Sequence, residues 1–394
     1  MARLVAFFAA SLISFSLATA AEPQRLRVNA FPSAKALPLH AGVAKGIFAR
    51  RDIAIELSFT ENSIQQREGL AAGTIDIALA AVDNAVAMVE VAGQDVVIVT
   101  GGDGGMNEFF VQPYVRSFGD LRGRTLVVDA PDTAYALLAK KILLKHGLAA
   151  VDNAVAMVEV ARQDVVIVTG GDSGMNEFFV QPYVRSFVDL RGRILVVDAP
   201  DTAYALLAKK ILLKHGLTEG RDYVVKPVGR GELRLKAMAS DKENAAAILN
   251  LPFTIQAEQL GLKSLGSTVD MLGPYQANGA FVQRAWAKAN SALLERFIAA
   301  YVESLRWSLQ TGNRDEAVGL LMERLKLSRD IAERTWHLLA DPARGFTPDA
   351  RFDRKGFDNM LALRAEMEGG RAPAAPEKYF DLSYYERALS RLSR

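Results

Sequence analysis

The sequence predicts an α/β protein of two lobes, and three observations carry that prediction. Short β-rich runs alternate with amphipathic helical stretches, the signature of strands and helices packed in layers. With 394 residues, 50% of them hydrophobic and 23% charged, the chain is long enough to build two cores. The alternation changes at residues 108–115, which read as a strand crossing from one unit to the next.

In chain order, residues 26–31 form a strand, 37–45 a helix stopped by Gly46, and 53–59 a second strand. Residues 63–72 follow as a helix stopped by Gly73, 75–80 as a buried strand, and 84–91 as a helix opened by Asp83. A strand at 96–100 then enters the turn Gly101-Gly102-Asp103-Gly104-Gly105. After the crossing strand come the turn Leu121-Arg122-Gly123, a strand at 126–129 and a helix at 133–146. Farther on are a strand at 223–228, a helix at 232–239, a strand at 246–251, and strands near 264–271 and 279–283. From Asn290 onward the pattern is mostly helical.

The amino terminus reads as an export signal at residues 1–20: Met1-Ala2-Arg3 is positive, 4–17 is apolar, and Ala18-Thr19-Ala20 is a small-x-small cleavage site. The apolar run is shorter than the roughly 20 residues that a spanning helix needs, so cleavage is expected rather than anchoring. The chain has no cysteine, which excludes disulfides, thiolate metal sites, cysteine nucleophiles and a lipid-modified amino-terminal cysteine. A net charge of +2 gives no bias toward nucleic acid or an anionic membrane.

Residues 80–148 recur as 149–217, an offset of 69 residues with four differences: Gly93 against Arg162, Gly104 against Ser173, Gly119 against Val188 and Thr125 against Ile194. Two near-identical blocks between flanks that do not share the period are a tandem duplication, not a solenoid. Consecutive elements usually pack as neighbours. The strand at 75–80 leads directly into copy one and the strand at 223–228 follows directly from copy two, so a hybrid is expected. Copy one would supply Asp83, Asn84 and the Gly102-Asp103 turn; copy two would supply Asp201 and Thr202. Identical strands at 126–129 and 195–198 compete for one slot, so the surplus copy is expected to add to the second lobe and to weaken folding.

No His-x-x-x-His, His-Glu-x-x-His or Gly-x-Ser-x-Gly pattern is present, so zinc and serine hydrolysis lack their parts. Of four histidines, His146 and His215 read as caps at helix carboxyl ends, His337 as core, and His40 alone lies near a predicted strand end. No catalytic residue, metal ligand or cofactor is assigned.

Several motifs resemble a known family. The phrase Leu37-Pro38-Leu39-His40-Ala41-Gly42-Val43-Ala44-Lys45-Gly46-Ile47-Phe48 with the strand after it is similar to the opening of ABC-transporter solute-binding proteins of the sulfonate, taurine and nitrate type. Thiamine-pyrimidine-precursor binders belong to the same group. Ile47 departs from the usual aromatic. Gly69 to Ala78, Asp120-Leu121-Arg122-Gly123-Arg124 and its copy at 189–193, and the tail Tyr379-Phe380-Asp381-Leu382-Ser383-Tyr384-Tyr385 also fit. The resemblance implies a type II periplasmic-binding-protein fold, with lobe 1 at 24–106 and 275–394 and lobe 2 at 107–274. It implies capture of a small organic solute in the periplasm and delivery to an inner-membrane permease. A ligand sensor or non-transport binding module on the same fold, and then a small periplasmic enzyme, are the alternatives. A monomer is expected, with strand swapping through the duplication as a route to oligomers.

Ligands of open α/β sheets lie beyond the carboxyl ends of strands, against helix amino termini. That rule selects Phe31 and Ser33 after the first strand, Asp83 and Asn84 after the third, and Gly102 and Asp103 after the fourth. It also selects Asp201, Thr202 and Tyr204 at the start of the second-lobe helix, and Pro252 and Phe253 after a late strand. Asp83 and Asp201 also read as plain helix caps. The three aromatic residues could equally be core.

Overall fold

The computed structural model describes residues 22–101, 108–111, 177–198, 203–342, 344–347, 349–367 and 374–392. Strands β1 (Gln24–Ala30), β2 (Ile53–Phe59), β3 (Ile77–Ala81) and β4 (Val96–Ile98) alternate with helices α1 (Leu37–Ala44), α2 (Ser63–Ala71) and α3 (Asp83–Glu90). Strands β5 (Glu108–Val111), β6 (Glu177–Val180) and β7 (Ile194–Val197) lead to α4 (Ala203–Lys214). Next come β8 (Val224–Pro227), α5 (Gly231–Ser240), β9 (Asn244–Leu249), α6 (Phe253–Gln259), β10 (Lys263–Ser267), α7 (Thr268–Leu272) and β11 (Asn278–Gln283). Helices α8 (Arg284–Ala289), α9 (Ser291–Leu309), α10 (Arg314–Leu325), α11 (Arg329–Leu339), α12 (Arg354–Met367) and α13 (Ser383–Leu392) complete the chain.

The strands form two sheets, ordered β2-β1-β3-β11-β4 and β10-β5-β6-β9-β7-β8. β1 runs parallel to β2 and β3, while β11 returns antiparallel between β3 and β4. The chain therefore passes between the sheets twice, from β4 to β5 and from α7 to β11. Two crossings joining two open sheets make the α/β fold that the alternation predicts.

α1 is mostly apolar because Leu37 to Gly42 are buried, while Val43 and Ala44 at its end are exposed. Pro38 sits in its first turn, where the missing N–H costs nothing, and Gly46 at φ 63° ends the turn that follows. Gly42 lies so close to Phe48 and Ser304 that an added Cβ would come within 2.3 Å of both. His40, on the same helix and 8% exposed, has its ring 5.7 Å from that of Phe59. Burial, and secondarily the charge of Arg324, lower its pKa to about 4. The unfolded chain then takes up the proton first. His40's contribution to stability should fall as the pH drops from 6.5 toward about 4, by at most on the order of 3 kcal/mol, and stop changing below that range. His40→Gln should flatten that slope in urea titrations between pH 7 and 4.

Three expectations need correction. The strand placed near 264–271 ends at Ser267, whose Oγ accepts the Val269 N–H at 3.3 Å and starts α7 in its place. Asp83 does not cap α3: Val82 holds the cap position and Asp83 is the first helical residue. His337 is exposed rather than core.

The second lobe's helix comes from copy two for a physical reason. Lys209 on α4 is fully buried and pairs with Glu219 at 2.9 Å. Glu219 lies just past the repeat, and the corresponding residue after copy one is Ala150. A helix drawn from copy one would bring Lys140 to that site without its counter-ion. Copy one's own strand and helix at 126–129 and 133–146 lie outside the described residues. β3 runs into copy one, α3 and β4 lie within it, and β7 and α4 belong to copy two; of the expected hybrid, Asp83 and Asn84 are described, while Gly102, Asp103, Asp201 and Thr202 lie outside the described residues.

Candidate functional site

A cavity lies between the two sheets, at the carboxyl ends of their strands. Its walls enclose about 690 Å³ of space continuous with solvent, of which about 40 Å³ can be occupied by the centres of water molecules. At roughly 10–15 Å³ per water, this is a narrow cleft. From the first sheet, the chain leaving β1 supplies Phe31, Ser33 and Lys35, the start of α2 supplies Ser63, and α3 supplies Asn84. Asn278 on β11 and Tyr301 on α9 complete that wall. From the second sheet come Asp198 at the end of β7, Arg230 and Gly231 at the start of α5, Arg234 one turn on, Asn250 after β9, and Phe253 opening α6. Gly231 is bare because a Cβ there would stand 2.5 Å from the Phe253 ring.

The two walls already touch. Ser63 Oγ donates to Asp198 Oδ2 at 3.1 Å, the Arg230 N–H donates to the Glu61 carbonyl at 2.9 Å, and the Ala34 N–H donates to the Leu251 carbonyl at 3.2 Å. The Arg230 guanidinium also pairs with the Glu61 carboxylate across the cleft mouth and with Glu232 at 3.2 Å. Arg234, 2% exposed, donates from Nη1 to the Gly229 carbonyl at 3.1 Å. Asn84, 1% exposed, donates weakly to Ser63 Oγ at 3.5 Å and keeps its Oδ1 without a partner among the described residues.

Among the described lining residues the charges are Lys35, Arg230 and Arg234 with Asp198; Lys35 and Arg234 are buried, while Arg230 stands at the mouth with Glu61 and Glu232. Amide and hydroxyl groups from Asn84, Asn250, Asn278, Ser33 and Ser63 surround the cleft, with the rings of Phe31, Phe253 and Tyr301 beside them. Such a set can hold a small anion by charge-assisted hydrogen bonds and pack an apolar body against it. No histidine is among the described lining residues.

Of the residues singled out from sequence, Phe31, Ser33, Asn84 and Phe253 line the cleft. Asp83 is wholly buried at the start of α3 and is not among the lining residues, and its carbonyl accepts from Arg364 Nη1 at 3.4 Å. Pro252 follows a cis peptide bond and is not a lining residue either. Gly102, Asp103, Asp201 and Thr202 lie outside the described residues, as does the side chain of Tyr204. The sequence reading missed Lys35, Ser63, Asp198, Arg230, Arg234, Asn250, Asn278 and Tyr301. Asp198, Arg230 and Asn250 obey the same strand-end rule that found the others.

No helix among the described residues is long and apolar enough to cross a membrane, and no group of three or more His, Asp or Glu residues there could hold a metal ion. Residues 33–176 match the NMT1/THI5 like family. No curated protein matches the chain. Among solved structures, a Bordetella bronchiseptica RB50 protein aligns at 16% identity and TM-score 0.66 over 94% of this chain and 98% of its own. The alkanesulfonate-binding protein SsuA from Xanthomonas axonopodis pv. citri, bound to MOPS, aligns at 15% identity and TM-score 0.59 over 91% and 98%. The desulfurization enzyme DSZB shares the fold at 15% identity and TM-score 0.54 over 93% and 99%. The described residues, with two open sheets, two crossings and a cleft at their strand ends, thus share the fold of the periplasmic binding proteins.

Proposed function

We propose that the protein is the periplasmic solute-binding component of an ABC importer, closing its two lobes on a small organic anion and presenting it to a membrane permease. The observation that carries this reading is the convergence of two buried cations, Lys35 and Arg234, on one cleft where the two sheets meet. The fold shared with a sulfonate-binding protein supports it. So does the export signal read at residues 1–20. The ligand-contacting set is Phe31, Ser33, Lys35, Asn84, Asp198, Arg230, Arg234, Asn250 and Phe253. Asp198 adds an acceptor, so an anion that also carries an N–H or O–H donor fits better than a bare one. The protein is a binder and not an enzyme in this reading. The likeness to DSZB favours one second reading, chemistry on a sulfur-containing substrate in the same cleft.

Native mass spectrometry of the freshly purified protein and a thermal-shift panel of sulfonates, carboxylates and neutral or cationic pyrimidines test the proposal. At least one organic anion should raise the melting temperature, as ligand binding to the folded state requires, and be recovered unchanged. A response confined to neutral or cationic compounds, or none, would count against the anion reading. Turnover of the bound compound would favour the enzyme.

A further inference from the structure

Among the residues lining the cleft, Asn84 carries an atom that the described fold leaves unsatisfied. It stands in the first turn of α3, 1% exposed, and its buried Oδ1 has no hydrogen-bond partner among the described residues. The orientation of its amide follows from its neighbours. Ser63 Oγ gives its single hydrogen to Asp198 Oδ2 at 3.1 Å, because an ionised carboxylate only accepts. Toward Asn84 the same oxygen can then only accept, and it does so from Nδ2 at 3.5 Å. Asn84 therefore turns its amide nitrogen to Ser63 and keeps its carbonyl oxygen as an acceptor in the wall of the cleft. A buried acceptor left unmet costs more than an ordinary hydrogen bond returns, so a solute that meets it is selected over one that does not.

The charges beside it restrict what that solute can be. Lys35, Arg234 and Asp198 are the buried ionisable side chains among the described lining residues, two cations with one carboxylate. The ten-residue helix α5 opens on the same wall at Gly231, and the positive end of its dipole adds to the cations. A solute with one net negative charge balances this set. A zwitterion leaves one cation uncompensated in the interior, which is costly.

We propose that Asn84 is a specificity-determining residue of the cleft, accepting through Oδ1 a hydrogen bond from an uncharged hydroxyl or amide donor on a compact monoanion whose acidic head lies against Lys35 and Arg234. This rests on the anion-binding reading of the cleft and narrows it to hydroxy- or amido-substituted organic acids. The space between the walls holds about three or four waters at roughly 10–15 Å³ each, which keeps the solute to a few carbons.

Two series of probes that differ at one terminal group test this: ethanesulfonate, 2-hydroxyethanesulfonate and 2-aminoethanesulfonate, and propionate, 3-hydroxypropionate and 3-aminopropionate. Each is titrated calorimetrically into the full chain. In every series that binds, the hydroxy acid should bind about ten-fold or more tighter than either companion. In Asn84→Leu that advantage over the alkyl acid should shrink to about three-fold or less, with the alkyl acid itself little changed. Asn84→Asp, nearly the same shape, adds a negative charge and should turn the preference to the amino probe. An alkyl acid bound by the parent as tightly as its hydroxy counterpart, an amino probe bound best by the parent, an equal loss of all probes in Asn84→Leu, or an unchanged preference in Asn84→Asp would overturn the proposal while leaving the anion reading in place. So would binding of none of the six when another anion raises the melting temperature. If no anion binds at all, the reading and this proposal fall together. The comparison of probes in the parent involves no substitution, so a folding defect of Asn84→Leu cannot shelter the proposal.

Discussion

Glu219→Gln is expected to lower stability by about 3–5 kcal/mol, because it leaves the Lys209 ammonium in the interior without its counter-charge. At roughly 2–4 °C per kcal/mol for a domain of 150–250 residues, that is a fall in melting temperature on the order of ten degrees. The exposures of 0% for Lys209 and 5% for Glu219 leave little solvent to screen the loss. Removing both charges is a different matter: Lys209→Met with Glu219→Leu should recover much of the loss, since desolvating the pair offsets most of its attraction. Lys140→Met, the same substitution in copy one, should leave the melting temperature unchanged. Thermal melts of these variants and of Lys209→Met alone measure this. Equal losses from Lys140→Met and Lys209→Met would show that copy one occupies the helix position as well, against the assignment made from Glu219.

Arg234→Met should abolish the solute-induced rise in melting temperature while leaving the protein folded. Truncating one member of a buried, hydrogen-bonded charge interaction costs about 2–5 kcal/mol of binding, and 2 kcal/mol is already roughly a 30-fold loss of affinity. Arg234→Lys should fall between the two, since it keeps the charge but loses the planar fork that grips an oxyanion with two parallel bonds. Calorimetric titration with whichever anion the thermal-shift panel selects gives the measurement. Equal dissociation constants for the parent and Arg234→Met would remove Arg234 from the site and with it one of the two buried cations on which the anion reading stands.

The strand-end rule selects residues that line the cleft where their placement depends on local chain geometry. Phe31 and Ser33 leave β1, Asn84 stands in the first turn of α3, and Phe253 opens α6. All four reach the cleft because a parallel strand followed by a helix fixes which way that turn faces. The rule failed for Asp83, one residue from Asn84. On a helix, adjacent residues point about 100° apart, and only the tertiary packing decides which of the two faces the opening. Arg234 and Tyr301 were out of reach for the same reason. Each lies inside a helix whose polar or aromatic pattern reads as surface or core until the opposite wall is in place.

The sequence by itself determined the α/β class, the order of elements and the doubled segment, because backbone period, caps and glycine stops act over a few residues. It also held the answer to which copy continues into β8, although the reason became visible only when Lys209 and Glu219 were seen together. The tertiary structure alone decided that Lys35, Arg230 and Arg234 converge on one cleft. Charge convergence is a relation between segments far apart in the chain, and no local pattern encodes such a distance.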